Sequence, residues 1–509
     1  MSQRAVSIQS VQRMTERPSF IVEDSDLPEL RHAIRKLADL GYTEHGVRDW
    51  LGLADLADVH WRSIPIYRLE RLSSSNDGSG RDPLSLAIDL FLLQGTLPAD
   101  ELDKLLVAFE LEALTRAGLL AFDEKGSVRA RASLFPVGDR LIFSDHAWPE
   151  LPHPGLVDVP YDQVMGVGSD SRHLARCTVR RQFRHALDLC TGSGIHALLA
   201  SAHAEQVLAV DINTRATSCT RFNARMQGLT NLEVASGDLF APALGSAFDL
   251  ITANPPFVPS PLNTLGFRDG GRSGEDIQKR IFAGLPTHLA PGGIAQIVTE
   301  LGERDGEPLV DRLRKWLDRA PMDIHILRLS EHSMVKYATG HAKGDDYGTY
   351  LGSVHDWAAN LLAQGYSRVV SVVISLQWSD ARFGPPWDRV DEAPPPRRDA
   401  GPEIEACFTA ERVIRHPDFE QSVRQTWLRR AGAIALLDAH LLGSNVAPKA
   451  KATLLGQALA IEHQLDQTER EILVHLERRT LVEDLLVDEA AVIAAVRSLL
   501  RRRLVRLEI

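Results

Sequence analysis

Asn254, Pro255, Pro256 and Phe257 close an apolar run, DLITANPPFVPS (249–260), with an amide, a carbonyl and a ring. A proline cannot donate to a strand ladder, and its ring fixes its own φ. Pro255 also biases Asn254 toward an extended backbone. The outcome is a stiff tip that holds its polar groups in fixed relation. Asn-Pro also opens ordinary turns, so this run alone leaves a chemical and a structural reading open. A second cluster narrows the choice. In ALDLCTGSGIHALLA (186–200), Asp188 precedes a loop with Gly192 and Gly194, then a helical pattern. Glycines there let backbone approach a ligand, and a helix N-terminus offers N–H donors. No Gly-Lys-Ser/Thr follows, which excludes a P-loop. Asp211 ends the next strand-like run, 23 residues beyond Asp188, where a carboxylate can accept both hydroxyls of a ribose. Asp238, followed by Leu239, closes a third run and can accept the exocyclic amine of an adenine ring. Each acid alone could be a turn or cap residue. Three at the ends of successive strands point to a ligand site, because open α/β sheets bind there.

These residues need a scaffold that brings strand ends together. From Leu156 to Trp378 short strands alternate with helices. Strands are predicted at 185–190, 206–212, 232–238, 248–254, 292–301, 322–329 and 368–378. Helices are predicted at 194–203, 213–227, 275–289, 306–319 and 346–363. Such alternation implies a largely parallel, seven-stranded sheet covered on both faces.

The flanks differ. Residues 1–25 read as a flexible lead, and 26–150 as helices followed by a β-hairpin over 126–145. That pattern suggests a winged-helix-like unit or a small α+β adaptor. Residues 151–383 hold the alternating core. Residues 384–402 are rich in proline and charge and read as a linker. Residues 403–509 return to helix, ending in a helix-turn-helix-like pattern or a helical interaction module. Its Arg501–Arg503 run could face nucleic acid or simply solvent.

A chain of 509 residues exceeds what one core supports. The N-terminus lacks a secretion signal, and no apolar run reaches the ~18 residues of a membrane span. Four cysteines without a CxxC pair indicate neither a zinc site nor a disulfide framework, so no metal and a cytoplasmic location are expected. The net charge of −11 disfavours tight non-specific binding to nucleic acid.

The motifs LDLCTGSG, AVDIN, GDLF and NPPF, in this order, resemble the small group of class I S-adenosylmethionine-dependent methyltransferases. That group includes release-factor glutamine methyltransferases and N-methyltransferases of rRNA and tRNA bases. The resemblance covers roughly 150–220 residues. It implies a Rossmann-like α/β core and S-adenosylmethionine as cofactor. Asp188, Gly192 and Gly194 would line its methionine end, Asp211 its ribose, and Asp238 with Leu239 its adenine. VMGVGSDSRHLA (164–175) resembles the segment that covers the cofactor. Cys190 stands where the family often has its first glycine, which predicts an ordinary φ there.

In this family NPP plus an aromatic residue methylates the nitrogen of a planar conjugated group. Asn254 and the Pro255 carbonyl would each accept an N–H, and Phe257 would stack on the acceptor. Arg268 and Asp269, in the glycine-rich 265–277 loop, are expected to meet the substrate. His332, Lys336 and Tyr337, in a stretch read as irregular, could border the pocket. The acceptor is expected to be a macromolecule, either a protein glutamine or an RNA base. A small-molecule or peptide N-methyltransferase, and a cofactor-sensing regulator with nucleic-acid-binding ends, are the alternatives. Oligomeric state is left open.

Overall fold

A computed structural model describes residues 17–59, 63–72, 81–146, 159–262, 264–439, 449–476, 479–485 and 488–508. Its centre is an eight-stranded sheet. The strands are β1 (Phe183–Leu189), β2 (Ala204–Asp211), β3 (Leu232–Ser236), β4 (Phe248–Ala253), β5 (Leu289–Arg304), β6 (Met322–Ser333), β7 (Tyr366–Trp378) and β8 (Asp388–Glu392). They lie in the order β8-β6-β7-β5-β4-β1-β2-β3. β1 to β5 run parallel to one another, whereas β7 is antiparallel to both β5 and β6. The central strands bury mostly apolar residues, as strands covered on both faces do, with a few polar groups such as Asp188, Thr252 and Gln296 held inside by hydrogen bonds.

The flanking helices are α1 (Ser169–Cys177), α2 (Ile195–Ala200), α3 (Thr214–Met226), α4 (Asp276–His288), α5 (Leu309–Trp316), α6 (Met334–His341), α7 (Tyr347–Ala363) and α8 (Gly401–Ile414). Register sets the ends of the sheet: Leu189 pairs with Ala253 and Val210, and Asp211 with Ser236. The carboxyl ends of β1 to β4 therefore open on one edge, as expected.

Eight strands replace the expected seven. The extra one, β8, lies inside 384–402, which is thus no mere linker; it pairs parallel with β6 at the rim. Its charged and proline-flanked sequence hides it, because edge strands use those residues to block further pairing. The stretch after the sixth strand is also regular, since β6 runs on to Ser333 and α6 starts at Met334.

On the N-terminal side, only Ser133–Val137 and Arg140–Ser144 form the expected hairpin. Val128–Ala130 instead pairs with Leu120–Phe122 and Thr96–Leu97. Residues 1–16 of the expected lead lie outside the described residues, but Phe20 is buried on Phe222 of α3. On the C-terminal side the expected short helices and final strand, Val505–Glu508, are joined by further strands that the helical reading did not include. Trp427–Arg430 pairs with Thr480–Leu481 and Val505–Glu508, and Ile434–Ala439, Lys449–Leu454 and Glu462–Leu465 form another three-stranded sheet. The further strands are short, 2–6 residues, so the alternation in Lys449–Leu454 spans too few residues to stand out against the helical pattern.

The Arg501–Arg503 run, still partly exposed, makes its hydrogen bonds within the chain. Arg501 Nε donates to Glu411 at 2.7 Å, Arg502 to Glu469 at 2.9 Å and Arg503 to the Glu403 carbonyl at 3.0 Å. Nearby, His325, Asp391 and Cys407 bring possible metal-ligand atoms within 4.8 Å of one another. Asp391 Oδ2 is already engaged by His325 Nε2 at 3.0 Å and Arg389 Nε at 2.8 Å, the geometry of a hydrogen-bonded ion pair.

One asparagine locks the N-terminal hairpin to the sheet. Buried Asn223 of α3 donates from Nδ2 to the carbonyls of Phe143, at 2.8 Å, and Ser193, at 2.9 Å. Its Oδ1 accepts the Phe143 N–H at 2.9 Å. Asn223→Ala strands three buried backbone groups, so unfolding in urea should show a loss on the order of 3 kcal/mol. A loss within error of zero would mean that the hairpin docks without this lock.

Candidate active site

At the open edge of β1 to β4 lies a cavity of about 600 Å³. Its wall includes Tyr161 to Gly166, Ser171, Cys190 to Ser193, His196, Val210 to Thr214, Gly237 to Leu239, Asn254, Pro256, Phe267, Asp269 and Arg280. Gly192, Asp211, Asp238, Leu239, Asn254 and Asp269 are thus gathered at one place from distant parts of the chain. Asp188, Gly194, Pro255, Phe257 and Arg268 stand outside the wall.

Asp188 is buried under the loop. Its Oδ2 accepts the Thr191 hydroxyl at 2.6 Å and the Ala197 N–H at 3.2 Å, and its Oδ1 the Thr252 hydroxyl at 2.8 Å. Burial pushes its pKa up to about 7. It braces the loop from beneath. Gly194 has a φ of +88°, and a Cβ there would lie 2.8 Å from Thr220, so only glycine fits.

Cys190 overturns the expectation of an ordinary φ. It adopts +55°, a conformation that costs a non-glycine residue on the order of 1 kcal/mol. The turn from β1 into the loop imposes this geometry whichever residue occupies it. Gly192, at φ +57°, has no protein atom within 4 Å of the place a Cβ would take.

Asp211 accepts the Asn213 N–H on Oδ1 and the Gly192 N–H on Oδ2, both at 2.9 Å. Burial raises its pKa, while these bonds oppose the shift. Two backbone donors therefore fix the carboxylate at the cavity wall with lone pairs to spare. Beside it Ile212 is 71 % exposed, an apolar side chain at the mouth that offers a flat ligand a contact. Asp238 lies two residues past β3 and pairs with Arg280 of α4 at 2.6 Å.

Asn254 Nδ2 donates to Ser171 Oγ of α1 at 3.1 Å. With Nδ2 committed there, Oδ1 is the atom left to serve as acceptor. Ser171 lies in the 164–175 segment, yet neither spacing nor polarity distinguishes it from its neighbours. Phe257, half-buried, packs against the apolar cluster of Val258, Tyr337, Trp357 and Leu361, which supports the tip from behind. Arg268 and Asp269 turn inward as well. Asp269 is buried, accepts the N–H groups of Thr264 and Leu265, and pairs with Arg268 at 2.8 Å. The Arg268 carbonyl accepts the N–H groups of Phe257 and Val258, zipping the loop onto the tip. His332, Lys336 and Tyr337 lie outside the wall; Tyr337 reaches Glu300 instead.

His196 is a wall residue that sequence reasoning missed. Among the described residues neither ring nitrogen has a hydrogen-bond partner, and burial depresses its pKa to about 3, so the ring is neutral. A histidine inside an apolar helix start gives no spacing signal.

A Rossmann-like sheet with acids at three strand ends and a rigid Asn-Pro-Pro tip defines a methyltransferase-type site. The family model described as methyltransferase small domain matches residues 165–313, and a domain of unknown function matches 39–131. A ribosomal protein uL3 glutamine methyltransferase of Bradyrhizobium diazoefficiens is 40% identical over 151 residues, 26% of this chain and 46% of that one. A putative protein N5-glutamine methyltransferase of Methanocaldococcus jannaschii is 30% identical over 145 residues, 27% of this chain and 73% of that one. The crystal structure of a ribosomal protein L11 methylase from Lactobacillus delbrueckii subsp. bulgaricus aligns at 16% identity, covering 42% of this chain and 81% of that one, with a TM-score of 0.27. The chain belongs to the small methyltransferase family. It spans about half the length of the curated uL3 relatives it matches.

Asp211→Asn keeps the size of the side chain but removes the charge and one acceptor. Affinity for S-adenosylhomocysteine, read by calorimetric titration, should fall at least tenfold, as loss of a charge-assisted contact implies. An unchanged affinity would remove Asp211 from the ligand contacts.

Proposed function

We propose that this chain is an S-adenosylmethionine-dependent enzyme that methylates the side-chain amide nitrogen of a protein glutamine. The observation that carries the reading is the bond from Asn254 Nδ2 to Ser171 Oγ at 3.1 Å, which leaves an acceptor oxygen at the cavity wall. An amide nitrogen has a delocalised lone pair and needs acceptors for its hydrogens, not a strong base. Asn254 Oδ1 is an acceptor at the cavity wall on a backbone stiffened by two prolines, whereas Pro255 stands outside that wall. As the nitrogen pyramidalises and gains positive charge, this oxygen stabilises it, and the proton displaced by the methyl passes from the product amide to solvent.

The cavity residues fit the cofactor. About 600 Å³ lies within the range of small-molecule sites, and fixed Asp211, open Gly192 and apolar Ile212 suit a ribose, a close backbone approach and a ring. When bound, S-adenosylmethionine would supply the activated methyl group; the chain orients the nitrogen and excludes water. Two relatives are named as glutamine methyltransferases, which favours glutamine over an RNA base. Arg501 to Arg503 already bond acids and a carbonyl of this chain, which supports a protein acceptor over RNA. Among the described residues no helix is long and apolar enough to cross a membrane, and we read the protein as cytoplasmic. The flanking parts, 26–150 and 403–509, suit a macromolecular acceptor better than a metabolite.

The test is transfer from tritiated S-adenosylmethionine into ribosomal proteins, release factors and RNA of the same cell. Label should enter protein, survive RNase and be lost with protease. Asn254→Ala should lower the rate ~10²–10³-fold while affinity for S-adenosylhomocysteine stays within a few-fold. Label recovered in RNA, or near-normal turnover by Asn254→Ala, would overturn the assignment.

A further inference from the structure

The helix that holds Asn254 is gripped from behind by the N-terminal part of the chain. Arg172 follows Ser171 on α1, and Arg176 lies one turn further on. Arg176 donates to both carboxylate oxygens of Asp55, at 2.6 and 2.8 Å, and to Glu44 Oε1 at 3.1 Å. Arg172 donates to the same Glu44 oxygen at 3.2 Å and to the Pro136 carbonyl at 2.9 Å. Arg172 and Asp55 are buried. The two acids are fixed in turn: Glu44 Oε2 accepts the Gly138 N–H at 2.6 Å, and Asp55 Oδ1 the Ala57 N–H at 2.7 Å. The same part backs the cavity wall just before α1. Asp145 accepts the Val164 N–H at 2.9 Å, and a Cβ on Gly166 would lie 2.7 Å from the Phe135 ring.

We propose that Glu44 and Asp55 are positioning residues: by seating α1 through Arg172 and Arg176, they set where Ser171 holds Asn254. The N-terminal part then forms one side of the acceptor site. Every link of the path is a bond with a measured length. From Asp55 to Asn254 it crosses one guanidinium, just over one turn of helix and one hydroxyl. A bidentate pair between arginine and a carboxylate fixes direction as well as distance, and a single helical turn is stiff. A displacement of Arg176 therefore carries Ser171 with it. Removing one charge from a buried pair leaves the other without its partner, and the helix must shift to let that charge meet water. Asn254 then loses the tie on Nδ2 that keeps its oxygen at the cavity wall.

The purpose of this seating rests on the proposed amide methylation, but its test needs neither cofactor nor acceptor. The full-length protein, labelled with ¹⁵N in asparagine, reports the side-chain amides of Asn254 and Asn360, each assigned by its loss in the alanine variant. Ser171→Ala marks where the Asn254 amide resonates without its tie. Asp55→Asn and Glu44→Gln should each move the Asn254 amide toward that position. In the Ser171→Ala background they should move it no further, because the path is already cut. Asn360 of α7, which bonds the carbonyls of Pro259 and Arg272, should stay in place. A general loosening would move both amides. Thermal unfolding confirms that each variant folds; should Asp55→Asn fail to, Glu44→Gln, at a partly exposed side chain, carries the test alone. An Asn254 amide unmoved in the folded variants, moved together with Asn360, or moved again in the Ser171→Ala background would overturn the proposal, whether or not methyl transfer to glutamine is found.

Discussion

The site depends on one buried carboxyl group. Asp188 joins β1 to the glycine loop through Thr191, to α2 through Ala197 and to β4 through Thr252. A polar group is costly inside an apolar sheet unless its hydrogen bonds are met, and here three donors meet them. The loop is thereby pinned to β4, the strand that carries the Asn-Pro-Pro tip. The two halves of the cavity, acids on one side and an amide acceptor on the other, share this single brace. Their spacing follows from it.

Further restraints build outward from that brace. Asp211 grips the loop from β2 through the Gly192 N–H, and Asn223 grips it from α3 through the Ser193 carbonyl. Ser171 fixes the amide of Asn254, and the Arg268 carbonyl zips a second loop onto the residues that follow it. Each restraint comes from a different element, so the cavity wall is over-determined. That rigidity suits a reaction in which orientation, not acid–base strength, limits the rate. It also sustains the unfavourable φ of Cys190.

Much of this was legible in the sequence because it is periodic or spaced. Strand and helix alternation located β1 to β7, and acids at strand ends located the cavity. What was not legible depends on contacts across long stretches of chain. The tie from Ser171 to Asn254 spans 83 residues and that from Asn223 to Phe143 spans 80, and neither leaves a local pattern. β8 was hidden because an edge strand of charged residues resembles a linker. Phe257 has the chemistry for stacking on a substrate, and its packing on the apolar cluster behind the tip is a further contact that no local pattern announces.

The central claim is that Asn254 presents an oxygen, not an N–H₂ group, to a glutamine amide. A crystal structure with S-adenosylhomocysteine and a glutamine-containing peptide tests this most directly. The expected result has Asn254 Nδ2 on Ser171, and Oδ1 about 2.9 Å from the glutamine nitrogen. An Asn254 rotated to donate to the ligand, or a glutamine bound away from the Asn-Pro-Pro tip, would contradict it.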